Sequence, residues 1–265
     1  MGGVCQLHAR VLPLRSHRND AGVHPDPPPL PSGTPQISFS GPLVAGRFVR
    51  RLNRFAALVC VDDGEEGVHV RNSGRLRELL TYGRHVLLEP ARSAGRRTRF
   101  SLALVRAQGC YVSLDAHLPN ELVAAALAVG AVPGFRGYRL LRREPVMGKH
   151  RADFLLRRGA RRCLLEVKSV TLIRNGLALF PDAPTTRGLA HLEHLIAARA
   201  DGLLAAMLFV IQRNDAVAFA PNRSGDPAFS AGLERAVRAG VRVQAMRCEV
   251  TCMGVSLDRR VPVCL

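Results

Sequence analysis

The residues of this chain that could do the most specific chemistry lie between positions 149 and 168. Lysine occurs only twice, at Lys149 and Lys168, although lysine and arginine together number 38. Arginine keeps its proton at any accessible pH, whereas the pKa of a desolvated lysine can fall. A lysine kept in the motif Glu166-Val-Lys168 therefore hints that an ammonium group is required there. Chance placement of two rare residues is the simpler alternative.

Two carboxylates accompany this lysine. If the motif is a strand, Glu166 and Lys168 project from one face and Val167 from the other. A hairpin turning near Gly159 would bring Asp153, on the preceding strand, close to Glu166. Carboxylate oxygens are ligands that Mg²⁺ prefers, and a neighbouring lysine can stabilise charge on a phosphate or orient the attacking water. The pattern fits metal-assisted hydrolysis of a phosphodiester; a salt bridge on a solvent-facing strand is the alternative.

The segment 37–108 consists of short β-like runs separated by turns, of which Asp62-Asp63-Gly64 favours a hairpin. Gly74 to Leu80 could form a short helix. Five strands and one helix predict a small barrel of the oligonucleotide-binding type, although a generic β-barrel or an SH3-like module fits nearly as well. Basic residues concentrate here and could follow a phosphate backbone, or form an ordinary solvated face: Arg47, Arg50, Arg51, Arg54, Arg71, Arg75 and Arg77.

The segment 109–265 has a different pattern. A helix is predicted from Asn120, because Pro119 precedes it and Gly130 follows it. Three strands follow, then helices over 187–202 and 229–239 alternate with strands over 205–212 and 241–246. This order predicts a mixed α/β domain.

Composition limits the partners. The net charge of +17 favours a polyanion, nucleic acid first, although an arginine-rich product of a biased genome would look similar. No run of 18 apolar residues could span a membrane, and arginines interrupt the N-terminus, so a cytoplasmic protein is expected. Seven scattered cysteines fit a reducing compartment. Residues 1–36 are proline-rich and are expected to be disordered.

Two further residues, Arg187 and His191, lie four apart on one face of a predicted helix and could contact a scissile phosphate. Alternatively, Arg187 pairs with Asp182 and His191 packs against the sheet. Thr185 or Thr186 is expected to cap this helix. Ser169 has no His/Asp partner in view, which argues against a serine hydrolase.

Longer motifs carry a family resemblance. The run from Glu166-Val-Lys-Ser-Val-Thr-Leu172 to Phe180-Pro-Asp-Ala-Pro-Thr-Thr-Arg-Gly188 and His191-Leu resembles the sugar fermentation stimulation protein A family. Arg151-Ala-Asp153-Phe, Arg51-Leu-Asn-Arg-Phe55, Asn72-Ser-Gly74 and Asn120-Glu-Leu-Val are similar to other motifs of that family. The resemblance covers residues 40–265. Val70-Arg71, in place of Cys-Pro, and His150, where serine is common, depart from it.

The resemblance implies an oligonucleotide-binding barrel followed by a domain similar to the PD-(D/E)XK nucleases, and it implies DNA binding. It assigns metal binding and catalysis to Asp153, Glu166 and Lys168, with Glu144 as an auxiliary acid and the Val167 carbonyl as a further ligand for Mg²⁺ or Mn²⁺. The leading hypothesis is a Mg²⁺-dependent DNA nuclease. The alternatives are a non-cleaving regulator of sugar (maltose-type) metabolism genes with a vestigial site and, since such barrels accept RNA, an RNA-processing factor.

Overall fold

The computed structural model describes residue 30 and residues 33–91, 95, 97–147 and 150–265. Most of the proline-rich segment, as well as Lys149, lies outside the described residues. The strands of the first half are β1 (Gln36–Ser38), β2 (Val44–Asn53), β3 (Ala56–Val61), β4 (Gly64–His69), β5 (His85–Pro90), β6 (Phe100–Ala107) and β7 (Cys110–Ser113).

Strands β2 to β7 form one sheet in the order β4-β3-β2-β5-β6-β7. Strand β4 also pairs with β6, through His69 and Ser101, so five strands close into a barrel. Alternate side chains fill its interior; Val59, Leu88 and Leu102 are fully or almost fully buried. This structure confirms the predicted oligonucleotide-binding barrel.

The helix predicted over residues 74–80 does not form. Leu76 has a φ of 49°, which an α-helix does not allow, and the segment makes a single turn closed by a bond from the Leu80 N–H to the Leu76 carbonyl. Leu76 and Leu79 instead close the barrel core.

The second half contains the remaining elements. They are α1 (Leu118–Ala128), β8 (Arg139–Arg143), β9 (Val146–Met147), β10 (His150–Arg151), β11 (Phe154–Arg158), β12 (Arg161–Val170), β13 (Ile173–Arg174), β14 (Leu177–Phe180), α2 (Thr186–Ala200), β15 (Leu204–Ile211), β16 (Ala218–Pro221), α3 (Pro227–Arg238), β17 (Arg242–Val250) and β18 (Gly254–Val261).

A seven-stranded sheet in the order β1-β18-β17-β15-β12-β11-β8 is the centre of this half. The neighbours β12–β15 and β15–β17 are parallel, and the other pairs are antiparallel. Helix α1 packs in one core and helices α2 and α3 pack in the other. The predicted mixed α/β fold is thereby confirmed.

The two cores show how β12 is oriented. Leu165 and Val167 lie in the core that contains α1, whereas Leu164 lies in the core that contains α2 and α3. Because side chains alternate along a strand, Glu166 and Lys168 project towards the α2 side.

Two elements pair differently from what the boundaries suggested by the sequence, residues 36/37 and 108/109, would imply. Strand β1 begins at Gln36 and pairs with β18 at the edge of the seven-stranded sheet, and β7 completes the sheet of the barrel. The Leu30 N–H also donates to the Asp258 carbonyl, at 2.7 Å. Among the described residues, no helix has the length and apolar character needed to cross a membrane.

Candidate functional site

Asp153 is held from two directions. It lies just before β11, where Phe154 pairs with Leu165 of β12. One of its carboxylate oxygens accepts the main-chain N–H of Val167 at 2.7 Å, and the other accepts the side-chain amide of Asn120, in the first turn of α1, at 2.9 Å. Strand β12 and helix α1 therefore fix this carboxylate together.

Glu166 is buried in the middle of the sheet, with 3% of its surface exposed. Its Oε1 accepts a hydrogen bond from Lys168 Nζ at 2.7 Å and also contacts His191 Nδ1. Lys168 Nζ lies 3.1 Å from the same imidazole nitrogen. Arg187 Nε donates to His191 Nε2 at 3.3 Å, which assigns the imidazole proton to Nδ1, facing the carboxylate. Glu166, Lys168, His191 and Arg187 thus form one connected cluster of side chains.

The two carboxylates respond differently to this environment. Burial raises the pKa of Asp153, and the nearby charge of Glu166 raises it further, against the lowering effect of its hydrogen bonds. Burial also acts to raise the pKa of Glu166, but the hydrogen bond from His191 and the charge of Lys168 outweigh it, so this pKa is lowered. Glu166 therefore stays ionised, while an ionised Asp153 lies next to a second negative charge.

The start of helix α2 positions Arg187 and His191. Thr185 caps the helix by accepting the Gly188 N–H at 2.9 Å, which confirms one of the two caps that the sequence suggests. The Thr185 N–H donates to Asp226, and this carboxylate also caps helix α3 through the Phe229 N–H. The two helix starts are joined in this way, and α2 begins at a fixed place beside β12.

The oxygen atoms of the Asp153 and Glu166 carboxylates and of the Val167 carbonyl suit a hard divalent cation. The N–H and C=O of one residue in a strand point to the same side, so the Val167 carbonyl faces the edge from which its N–H reaches Asp153. Over the described ranges, no group of three or more His, Cys, Asp or Glu side chains is arranged to hold a metal ion. A cation here would rest on two carboxylates, this carbonyl and water, a set that Mg²⁺ accepts.

The structure does not bring the carboxylate of Glu144 to this cluster, contrary to the expected auxiliary role. Glu144 has a φ of 49°, and its side chain is 65% exposed and forms an ion pair with Arg151 at 2.8 Å. Only its main chain reaches the site, through an N–H bond to the Asp153 carbonyl at 2.8 Å.

Five of the seven barrel arginines that the sequence singles out line one groove, which we call the arginine groove. Its volume is about 690 Å³, and its lining includes Arg50, Arg51, Arg54, Arg75, Arg77 and the 84% exposed Tyr82. Arg47 lies outside this lining and donates to the Gly83 carbonyl at 3.2 Å.

Two of the predicted phosphate contacts have internal partners instead. The guanidinium of Arg51 donates to four main-chain carbonyls, those of Arg54, Asn72, Gly74 and Arg75. Three of these carbonyls belong to the loop after β4, which Arg51 therefore holds in place. Arg71 forms ion pairs with Asp115 at 3.1 Å and Glu89 at 3.2 Å. Both guanidinium groups are thereby occupied within the protein.

A cleft of about 440 Å³ lies beside the cluster. Lys168 and Arg187 line it from the α/β domain, and the loop of Asn72, Ser73 and Gly74 lines it from the barrel. Ser73 and Gly74 also line the arginine groove. The groove and the cleft therefore meet at this loop, and a chain of phosphates could pass from one to the other.

The structure adds two features that sequence reasoning missed: the bond between Asn120 and Asp153, and the position of the Asn72–Gly74 loop between groove and cleft. The family motifs marked both segments, but the segments that meet are far apart in sequence and only the fold shows their contact.

The chain combines a closed oligonucleotide-binding barrel with a mixed α/β domain that brings an Asp, a Glu and a Lys together at two neighbouring strands. This combination defines a two-domain class of protein. Two family models match the chain in the same order: the SfsA N-terminal OB domain over residues 49–114 and the sugar fermentation stimulation protein RE domain over residues 117–254. The chain belongs to the sugar fermentation stimulation protein (SfsA) family.

Individual relatives agree with this assignment. The chain is 46% identical over 227 residues to a sugar fermentation stimulation protein homolog of Chloroflexus aurantiacus, covering 86% of this chain and 88% of the relative. It is 47% identical over 224 residues to a homolog of Moorella thermoacetica, covering 83% and 96%. The solved structure of Pyrococcus furiosus SfsA in complex with Ca²⁺ has a TM-score of 0.81 and 29% identity, and the match covers 87% of this chain and all of that one.

Proposed function

We propose that this protein binds nucleic acid, DNA first, and cleaves its phosphodiester bonds with the help of a divalent cation. The observation that carries the proposal is the convergence of Asp153, just before β11, with Glu166 and Lys168 of the neighbouring strand β12. Lys168 also lines a cleft that meets the arginine groove. A salt bridge alone would need only one of the two carboxylates.

The proposed cation ligands are Asp153, Glu166 and the Val167 carbonyl. Such a cation would polarise a phosphodiester and lower the pKa of a bound water. The Pyrococcus furiosus relative was solved in complex with Ca²⁺. Ca²⁺ and Mg²⁺ both take hard oxygen ligands, which is the donor set present here, and Mg²⁺ is the cation we expect to support cleavage.

The positively charged side chains have separate roles. Lys168 Nζ, held at 2.7 Å from Glu166, is placed to stabilise negative charge that develops on the phosphate. Arg187 is exposed and lines the cleft, so it can pair with a phosphate oxygen of the bound strand. His191, which bonds to both Glu166 and Arg187, positions these two groups relative to each other.

The barrel would hold the strand by its phosphates. Arg50, Arg54, Arg75 and Arg77 line the arginine groove, and Tyr82 offers a ring on which a base can stack. Contacts of this kind carry little sequence preference. RNA would meet the same groups, and competition between labelled DNA and RNA decides which strand binds more tightly.

The test is to incubate the protein with single-stranded and double-stranded DNA in Mg²⁺, Mn²⁺ or EDTA, alongside Asp153→Ala. We expect cleavage that requires the cation and is lost in the variant, with DNA affinity changed only a few fold. Binding without cleavage under every condition would reject the nuclease proposal and favour a non-cleaving regulator of sugar-metabolism genes.

A further inference from the structure

A second arginine-rich surface lies away from the barrel, on the three strands β8, β11 and β12 at one edge of the seven-stranded sheet. Besides Arg143, which pairs with Glu121, six exposed arginines lie on these strands: Arg139, Arg142, Arg157, Arg158, Arg161 and Arg162. The proposed function gives them no role, since they lie outside the cluster, the cleft and the arginine groove.

The register of the strands aligns three of these arginines. Arg157 pairs directly with Arg162 of β12 on one side and with Arg139 of β8 on the other. Residues directly opposite each other in antiparallel strands project from the same face, about 5 Å apart. Arg139, Arg157 and Arg162 therefore form a row of three like charges across neighbouring strands, which we call the arginine row.

A row of this kind opposes folding, because like charges directly opposite each other destabilise a sheet. Across the part of the chain that the structure describes, none of these three guanidinium groups forms an ion pair; the one hydrogen bond among them runs from Arg157 Nε to the Gly159 carbonyl. Other arginines of the chain have carboxylate partners, as Arg143 has Glu121 and Arg235 has Glu193. An external polyanion would supply the charge that the protein does not provide.

The surface also has the shape of a binding site. A concave region of about 510 Å³ is lined by Gly137, Arg139, Leu141, Arg157, Arg158 and Gly159. Its guanidinium groups can donate several hydrogen bonds at once, which suits phosphate.

The arginine row is on the same face of the sheet as Glu166. Arg162 and Glu166 are four residues apart on β12 and project from the same face, and Arg157 pairs directly with Arg162. At a rise of about 3.3 Å per residue, the row lies about 13 Å along the sheet from the carboxylates, or about four phosphates of a stacked strand. Between them lie the half-buried Leu155 and, opposite it, the exposed Arg142.

We propose that the arginine row is a second phosphate-binding site, which holds the part of a nucleic acid that extends beyond the cleavage site on the side away from the barrel. The inference rests on the proposed function for the identity of the ligand. An anionic membrane is the less favoured partner, because the row continues the same face as Glu166. Of the described residues that line its concavity, Leu141 alone has a large apolar side chain.

The test compares two triple variants that remove the same charge. One is Arg139→Ala/Arg157→Ala/Arg162→Ala, and the control is Arg223→Ala/Arg235→Ala/Arg238→Ala, on and beside helix α3. Affinity for a fluorescent 30-nucleotide strand is measured in EDTA over a series of KCl concentrations. For the row variant we expect affinity to fall at least about tenfold and the log–log salt slope to drop by about two to three, because each lost phosphate contact removes nearly one unit. The control should change much less.

Two further measurements make the outcome decisive. Arg139→Lys/Arg157→Lys/Arg162→Lys keeps the charge and should retain the slope, which separates phosphate binding from damage to the fold. Binding to phosphatidylglycerol vesicles is measured in parallel. Equal losses in the row and control variants, or a loss of vesicle binding without a loss of strand binding, would overturn the inference. Because binding is measured without a cation, a failure of cleavage would count against the proposed function and not against the row.

Discussion

The carboxylate of Asp153 accepts the main-chain N–H of Val167 at 2.7 Å. One proposed cation ligand is therefore positioned by the backbone of the strand that carries the others, Glu166 and the Val167 carbonyl. The pairing of Phe154 with Leu165 sets this distance, and a shift of one residue would turn Asp153 to the other face of the sheet. The register of β11 and β12 therefore sets the position of the Asp153 carboxylate relative to Glu166 and the Val167 carbonyl.

Removing the charge of Asp153 should change how stability depends on pH. Its pKa is raised in the folded protein, chiefly by burial, so ionisation at neutral pH costs stability, and this cost disappears as the pH falls below the ordinary aspartate pKa. Relative to the wild type, Asp153→Asn should therefore gain stability as the pH rises from acid to neutral. Urea unfolding in EDTA at several pH values measures this difference.

For a control at Glu121, we expect stability to depend on pH in the opposite direction. The hydrogen bond from Arg143 is the main cause that lowers the pKa of Glu121, so its ionised form stabilises the fold above the ordinary glutamate pKa. Glu121→Gln should lose stability relative to the wild type over the same rise in pH. If Asp153→Asn followed the same trend as Glu121→Gln, the proposed crowding of the two carboxylates would be incorrect.

The ammonium group of Lys168 should be needed for cleavage. Its Nζ lies 2.7 Å from Glu166 and 3.1 Å from His191, in a half-buried position where a planar guanidinium cannot take the same place. We expect Lys168→Arg to lower the cleavage rate at least about 100-fold with little change in DNA affinity. Single-turnover cleavage and a binding assay separate the two effects. Full activity in Lys168→Arg would show that any positive charge is sufficient.

The positions of Asp153, Glu166 and Lys168 could be predicted from the sequence. The partners of several other charged side chains could not, for a physical reason. Strand periodicity placed Glu166 and Lys168 on one face, and the turn at Gly159 brought Asp153 beside them. The partners of Arg51 and Arg71 could not be predicted, because a count of charges does not show which guanidinium groups bond to carbonyls or carboxylates within the protein. The exclusion of the Glu144 carboxylate depends on a positive φ that nothing in its residue type requires.

Arg51 and Arg54 should have different effects when they are removed. Arg51→Ala leaves three carbonyls of the loop after β4 and the Arg54 carbonyl without their donor, and should cost about 1–3 kcal/mol of stability. Arg54→Ala should leave stability nearly unchanged and lower the log–log salt slope of DNA binding by about one. Thermal unfolding and salt titrations measure the two effects. An unchanged slope in Arg54→Ala would place the strand outside the arginine groove.

The junction between groove and cleft should be sensitive to one methyl group. A Cβ on Gly74 would lie 2.9 Å from Asn72 Oδ1 and 3.1 Å from Asp182 Oδ2, so the loop or its neighbours would have to move. We expect Gly74→Ala to slow cleavage of DNA more than it weakens binding. Gly67→Ala is the matched control, because its Cβ would meet nothing within 4 Å. Equal activity of the two variants would argue that the strand does not pass this loop.

The cation site at Asp153 and Glu166 is tested most directly by calorimetric titration of the protein with Ca²⁺. The wild type and Glu144→Gln are compared with Asp153→Asn. Because the Glu144 carboxylate is exposed and paired with Arg151, its loss should leave cation binding intact. We expect one binding event in the wild type and Glu144→Gln, and a loss of most of the affinity in Asp153→Asn. Equal affinity in all three proteins, or no binding by the wild type, would contradict a cation site at Asp153 and Glu166.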